Sequence, residues 1–296
     1  MPIRLAHLSD PHLTTTGLDW RFRDWFSKRA FSWLNLHAFG RGKHFAQGDH
    51  VLGRLGADLT ERNFDRVIFT GDASALGFDA EFQHTAQLLN VARLSGLAVP
   101  GNHDYCTPAA AASGAFERHF APWQQGERLD GAVYPFAQHV GDAWLVAVNS
   151  CKGNRWFWDA SGRTGRDQLD RLRRLLQHLP AGRRILVTHY PVCIADGRRE
   201  GFAHGLNDLR ETIDVAAAGG VCLWLHGHRH SFYWFQEPNL APFPVICAGS
   251  ATQTGLWSYG EYVIEGNRLQ GLRRAFDPQT DAFRDRDRFE LTLKTT

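Results

Sequence analysis

Short runs of apolar and β-branched residues recur along the chain and predict strands at residues 3–8, 66–70, 97–99, 143–149, 184–188, 221–225, 244–248, 261–265 and 268–275. The first, Ile3-Arg4-Leu5-Ala6-His7-Leu8, is strand-like by alternation. Between many of these runs the period lengthens to that of a helix. The clearest case is Thr164 to Leu179, where Leu169, Leu172, Leu175, Leu176 and Leu179 form one stripe and Thr164 with Asp167 reads as a capping-box-like start. Residues 46–62 and 78–95 predict two more helices. Strand and helix in alternation predict an α/β domain built on a largely internal sheet. From about residue 244 strands follow one another directly, which predicts an antiparallel finish. No repeat or low-complexity linker divides the chain, so residues 1–296 are expected to form one domain.

One segment stands apart. Residues 20–43 hold Trp20, Phe22, Trp25, Phe26, Phe31, Trp33 and Phe39 together with Arg21, Arg23, Lys28, Arg29, Arg41 and Lys43, against the single acid Asp24. At helical spacing Phe22, Trp25, Phe26, Ala30, Trp33 and Leu34 share a face. An insert at about 17–45 is therefore expected to act as a cap or lid. Two uses stay open: a helix packed on the body with a solvated basic rim, or a surface that meets lipid or a membrane.

Composition narrows the setting. The hydrophobic fraction of 43% supports an ordinary core, and Lys+Arg 33 against Asp+Glu 31 leaves a net charge of +2, which argues against a specific nucleic-acid partner. Cys106, Cys151, Cys193, Cys222 and Cys247 are scattered without a CxxC pair and read as reduced, mostly buried thiols of a cytosolic protein. No leader precedes the first strand, and no apolar stretch approaches the ~20 residues that span a bilayer. The expected location is cytoplasmic, with peripheral contact at the inner membrane face if residues 20–43 meet lipid.

Chemistry concentrates in five clusters, each just after a predicted strand: Asp10-Pro11-His12, Gly71-Asp72, Gly101-Asn102-His103-Asp104, Thr188-His189-Tyr190-Pro191 and His226-Gly227-His228-Arg229-His230. Asp10, His12, Asp72, Asn102, His189, His228 and His230 offer oxygen and imidazole nitrogen and no sulfur. That mixture suits Mn, Zn or Fe better than Mg or Ca. The ligands are too many for one tetrahedral site and suit two ions sharing a carboxylate, an arrangement used to displace groups at phosphorus. Residues two apart on a strand share a face, so Asp10 with His12, and His228 with His230, can reach a common point.

These clusters, in this order, make the chain resemble the calcineurin-like metallophosphoesterase superfamily, whose pattern runs D-x-H, G-D, G-N-H-[DE], H and G-H-x-H. The resemblance covers roughly residues 3–250 and fills every ligand position. It implies a four-layer αββα sandwich, two central sheets flanked by helices. It also implies that Asp10, His12, Asp72 and His230 hold one ion and Asp72, Asn102, His189 and His228 the other. The expected activity is phosphoester hydrolysis, most naturally of a diester, by a hydroxide bridging two divalent or trivalent transition-metal ions. His103 is expected to protonate or hydrogen-bond the leaving oxygen and Asp104 to set its tautomer.

Smaller expectations follow. His7 and His226 read as core or supporting residues, His226 by orienting a ligand. His204 in a rim loop, Arg155 beside Trp156-Phe157-Trp158 and Trp25 in the insert are candidate substrate contacts, with Arg163 and Arg166 nearby. The insert, in particular Ser27-Lys28-Arg29 through Trp33-Leu34-Asn35, is similar to that of UDP-2,3-diacylglucosamine pyrophosphatases, which implies a lipid-linked pyrophosphate as the alternative to a small-molecule phosphoester. A non-catalytic scaffold on the same fold would be expected to have lost some of these ligands, and none is missing.

Overall fold

The computed structural model describes residues 2–294. In chain order its strands are β1 (Ile3–Leu8), β2 (Arg66–Phe69), β3 (Gly96–Ala98), β4 (Phe136–Val140), β5 (Ala143–Ala147) and β6 (Arg183–Val187). Then come β7 (Val221–His226), β8 (Phe232–Phe235), β9 (Val245–Ala248), β10 (Ser258–Glu265), β11 (Arg268–Asp277) and β12 (Ala282–Thr292). The helices are α1 (Lys28–His37), α2 (Gly48–Arg62), α3 (Asp79–Leu88), α4 (Pro108–Ser113), α5 (Ala115–His119), α6 (Arg166–His178) and α7 (Leu209–Ala218).

The strands form two six-stranded sheets, ordered β12-β11-β10-β1-β2-β3 and β4-β5-β6-β7-β9-β8. In the first, β1-β2-β3 run parallel and form one half, with β10, β11 and β12 antiparallel in the other; in the second, β5-β6-β7-β9 run parallel between the antiparallel edge strands β4 and β8. Period-two alternation sorts side chains into layers. Ile3 and Leu5 of β1 meet Ile185, Val187, Leu223 and Leu225 between the sheets. Ala6 and Leu8 face outward onto Leu52, Leu55 and Leu59 of α2. On the far side Leu186 and Trp224 pack with Leu172 and Leu176 of α6. Helix, sheet, sheet and helix therefore stack in four layers, as expected, and the antiparallel finish after residue 244 is present.

Several expectations are corrected. The helix expected to start with a Thr164 cap begins at Arg166 instead, after Gly165 at φ 82°. Asp208 accepts from the amides of Thr164 (2.9 Å) and Gly165 (2.7 Å), so a distant carboxylate takes over the local cap. The helix expected over 78–95 stops at Leu88, just before Asn90 turns left-handed at φ 53°. Strands β4, β8 and β12 and helix α7 carried too little periodic signal to be read.

The insert is not one amphipathic helix. A short 3-10 turn at Phe22–Phe26 ends at Ser27, whose side chain accepts from the amide of Arg29 and starts α1 afresh. Much of its positive charge is interior, not a solvated rim. Arg29 donates to the carbonyls of Leu76 (2.9 Å) and Gly77 (2.8 Å), pairs with Asp24 at 2.9 Å and lies over the Phe78 ring. Lys28 donates to the carbonyl of Asp159 at 2.7 Å. Leu36, Trp20 and Trp33 pack on Ala75, Leu76 and Phe78, which moors the insert beside the ends of β1 and β2.

Candidate metal centre

The five clusters follow β1, β2, β3, β6 and β7, so the parallel strands of both sheets deliver them to one edge of the sandwich. The chain must turn sharply there. Asp10 (φ 54°), His12 (45°), Asp72 (58°), His228 (72°) and His230 (56°) all occupy the left-handed region. Non-glycine residues held there cost about 1–3 kcal/mol each, which elsewhere in a fold selects glycine. Here the side chains are kept and the strain is borne.

Backbone amides clamp one oxygen of each carboxylate and leave the other turned inward. His228 N–H donates to Asp10 Oδ2 at 2.9 Å, and His103 N–H donates to Asp72 Oδ1 at 2.7 Å. Asp10 Oδ1, buried without a hydrogen bond, then faces His230 Nε2 at 3.3 Å and His12 Nε2 at 3.6 Å. Asp72 Oδ2 stands 3.4 Å from His12 Nε2 and 3.6 Å from His189 Nε2. His12 Nε2 and His230 Nε2 are 2.9 Å apart. On the other side, Asn102 Oδ1 lies 3.0 Å from His189 Nε2 and 2.9 Å from His228 Nδ1.

The imidazoles are oriented from outside. His189 donates from Nδ1 to the carbonyl of Thr70 at 2.7 Å, His228 donates from Nε2 to the carbonyl of His204 at 3.1 Å, and His230 donates from Nδ1 to Gln253 Oε1. Each leaves its other nitrogen with a lone pair aimed at the centre, as an outer hydrogen bond does for a metal-ligating histidine. The consequence is an approach of 3.2 Å between His189 Nε2 and His228 Nδ1, lone pair to lone pair. Atoms about 2.0–2.2 Å from a common cation stand roughly 3–3.5 Å apart. The donor set therefore fits two transition-metal ions sharing Asp72, one beside Asp10, His12 and His230 and one beside Asn102, His189 and His228.

Electrostatics agree with that fit. Burial, then the charge of Asp10, push the Asp72 carboxyl well above its ordinary range. Burial lowers His12 to about 3 and lowers His189 and His228 as well, which keeps these rings neutral and able to ligate. His230 is raised: burial opposes the charge, but the bond to Asp10 outweighs it.

Asp104 is not the partner of His103. Its carboxylate accepts from the amides of Asp72 (2.8 Å), Gly101 (2.8 Å) and Ser74 (3.0 Å) and from Ser74 Oγ (3.1 Å), holding the second and third cluster loops together. The His103 tautomer is set instead by Nδ1–H donating to the carbonyl of Ala75 at 2.9 Å. Its Nε2 accepts from Arg41 Nη2 at 3.1 Å. Both ring nitrogens are thus engaged although the ring lies next to His12 and Asp72.

A cavity of about 580 Å³ opens above the centre. His12, Asp72, Asn102, His228 and His230 form its floor; Lys28, Phe31 and Arg41 of the insert, with Phe157 and His204, form its walls. Two candidate substrate contacts fall outside that lining. Arg155 is exposed, and Trp25 stacks on Trp20 with centroids 4.6 Å apart. Arg41 is the cation that sequence reasoning passed over. Its signal was its place between two glycines, Gly40 and Gly42. His7 is a core residue bonded to Tyr262 and Thr70, and His226 is buried, donating to the Gly227 carbonyl and orienting no ligand through a side-chain bond.

Residues 3–232 match the family described as calcineurin-like phosphoesterase. A dimetal phosphatase from Danio rerio has the same fold at a TM-score of 0.64 and 13% identity, over 99% of both chains. A purple acid phosphatase from yellow lupin seeds superposes at 0.63 with 12% identity, over 99% of this chain and 54% of its own. A protein described as the anchor in the inner membrane complex of Plasmodium does so at 0.54 with 11% identity, over 99% and 89%. At such identities these likenesses concern the fold alone. No curated protein matches the chain.

Proposed function

We propose a substrate class for this chain, which belongs to the calcineurin-like phosphoesterase family and is a metal-dependent phosphoester hydrolase: it cleaves phosphodiesters. The observation that carries the reading is the pairing of each carboxylate, one oxygen clamped by a backbone amide and the other turned into a ring of imidazoles. Asp10, His12, Asp72 and His230 would hold one ion, and Asp72, Asn102, His189 and His228 the other. Bound there, such a pair supplies Lewis-acid activation of water and of phosphoryl oxygens.

The chain's own residues do the rest. The clamped carboxylates and the outer hydrogen bonds of His189, His228 and His230 hold the donors in place before substrate arrives, so little reorganisation accompanies the reaction. His103, at the cavity wall, carries its proton on Nδ1; its Nε2 would meet the leaving oxygen as a donor after taking up a proton from solvent in the open cavity. Phe31, Phe157 and Leu256 line the cavity away from the charged floor and leave room for a second substituent on phosphorus. The Plasmodium neighbour is described as an anchor, but the complete donor set favours catalysis here. A panel of aryl monoester, aryl diester, cyclic nucleotide and nucleotide-sugar pyrophosphate, run with Mn, Zn or Fe, tests the reading. Turnover of the monoester alone would overturn the diester assignment.

A second reading, a lipid-linked pyrophosphate, is favoured by one observation. Large apolar side chains are exposed on the insert and on two later loops. Phe22 (82% exposed), Phe26 (78%), Trp25 and Phe39 come from the insert, and Trp156, Phe157, Trp158 and Phe202 (82%) from those loops. Phe31 touches Phe157 across the mouth, centroids 4.7 Å apart. Exposed aromatics of this kind, with Arg21, Arg23 and Lys43 in the same insert, suit an anionic bilayer surface. Among the described residues no helix is long and apolar enough to cross a membrane, so contact would be peripheral. Flotation with anionic vesicles tests it: loss of binding in Phe22→Ser/Phe26→Ser is expected, and equal flotation of that variant would exclude the contact.

A further inference from the structure

Three cations line the cavity, Lys28, Arg41 and Arg229. Two are already employed. Lys28 donates to the Asp159 carbonyl, and Arg229 Nη1 pairs with Glu200 at 2.9 Å. Arg41 has no such partner: among the described residues no carboxylate lies within ion-pair distance of it, and its one hydrogen bond is the donation to His103 Nε2. Asp72 and Asp10 act on it only through space. A partly buried guanidinium costs desolvation that a neutral imidazole acceptor offsets poorly, and most of its five donors remain unused.

The backbone is shaped to deliver it. Gly40, at φ 82°, opens the 3-10 turn Arg41–Phe45. A Cβ on Gly42 would lie 2.7 Å from the Leu36 carbonyl oxygen, so the turn can close tightly on the end of α1 only with glycine there. The insert itself is moored by Arg29 and Lys28, so the turn is held over the floor of the cavity and does not hang free.

We propose that Arg41 is a phosphoryl-oxygen clamp: when a phosphoester occupies the centre, the guanidinium leaves His103 Nε2 and binds a non-bridging oxygen of the substrate. The fork geometry of arginine suits two oxygens of one phosphoryl group, and the resulting pair is charge-assisted. The exchange also frees His103 Nε2 to face the leaving oxygen. The insert thereby contributes a residue to the reaction itself and is more than a cover. This inference rests on the phosphoester reading above.

The test uses metal-loaded protein and inorganic phosphate, the simplest ligand of this chemistry. Calorimetric titration should show phosphate binding weakened about 10- to 100-fold in Arg41→Ala, the span of one charge-assisted contact, and by less in Arg41→Lys, which keeps the charge and loses the fork. Metal content should be unchanged in both. Arg23→Ala, on the outer surface of the insert, should match wild type. His103→Ala should keep most of the affinity, because Arg41 binds the anion directly. Wild-type affinity in Arg41→Ala with metals intact would overturn the clamp. So would equal losses in His103→Ala and Arg41→Ala, which would make Arg41 a support for the ring. If Arg41→Ala does not fold, wild-type affinity in Arg41→Lys overturns the fork. Wild-type protein that neither binds phosphate nor cleaves any ester in the panel would sink the phosphoester reading and the clamp with it. Where the wild type does both, the Arg41 variants alone decide the clamp.

Discussion

The backbone amide of His228 donates to Oδ2 of Asp10 at 2.9 Å, joining the last cluster to the first across 218 residues. The bond aims the free Oδ1 of Asp10 at His12 and His230 and makes the two sheets cooperate in one centre. Metal binding and the packing of β1 against β7 are thereby coupled.

Metal occupancy should follow the division around Asp72. Asp72→Ala removes the oxygen facing both His12 and His189 and should leave neither ion tightly held. His230→Ala should lose one ion and keep the other. Elemental analysis after gel filtration reads the stoichiometry. Equal loss of both ions in His230→Ala would deny that the two shells are separable. Chelation of wild-type protein should lower its thermal midpoint, because ions at a hundred times their dissociation constant contribute roughly 2.7 kcal/mol to the folded state.

His103→Ala should retain its metals and lose turnover unevenly. Esters with poor leaving groups should slow about 100-fold or more, the usual size of a general-acid contribution, and activated aryl esters much less. A uniform loss across leaving groups would remove proton transfer from its role. Asp104→Asn should behave differently. It strips acceptor capacity from the amides of Asp72, Gly101 and Ser74, so it should destabilise the loops and weaken metal binding without a leaving-group trend.

Gly227→Ala should be costly at a position that exposes no side chain. Its Cβ would meet Ser9 Oγ at 1.9 Å and Asp10 Oδ2 at 2.6 Å. Overpacking of this kind costs about 1–3 kcal/mol. Denaturant unfolding should show that loss, and the variant should hold metal more weakly because Asp10 is displaced. A variant with wild-type midpoint and metal content would mean the loop has slack that the contacts do not indicate.

Stability should fall with rising pH through one buried carboxyl outside the centre. Glu81 accepts from the amides of Leu76 (3.1 Å) and Phe78 (3.0 Å), and burial raises it from 4.5 to about 7. The folded state then binds more protons than the unfolded one between these values. Its contribution is complete below pH 4.5 and is lost as pH rises through about 7. At about 1.4 kcal/mol per pH unit the loss is on the order of 3 kcal/mol. Glu81→Gln keeps an acceptor for both amides and should flatten the curve in that window. An unchanged slope would place the dependence elsewhere.

Much of the centre was legible because its chemistry is carried by residue type and local spacing. Asp10 with His12, and His228 with His230, announce a shared target two residues apart, and the Gly-Asn-His-Asp run is rare in a structural turn. The α/β class was legible through the alternation of β1 and the leucine stripe of α6, whereas the two-sheet plan came from the family resemblance that the clusters carry. The insert was read less well. Its aromatic residues suggested one helical face, whereas Ser27 divides it and buries Lys28 and Arg29. The role expected of Asp104 failed for a related reason: adjacency in sequence to His103 says nothing of which backbone amides a buried carboxylate will meet.

The amino-acid sequence by itself determined the donor atoms, their order along the strands and the α/β alternation, since these depend on side-chain chemistry and on period; the αββα plan followed from the family resemblance of the clusters. Tertiary structure alone decided which nitrogen of each imidazole faces inward, that Ala75 and not Asp104 holds His103, that Arg41 reaches the centre, and that Phe157 meets Phe31 of the insert at the cavity wall. Each of these is a contact between segments far apart in the chain, and such contacts exist only once loops from both sheets are held at one edge at fixed distances.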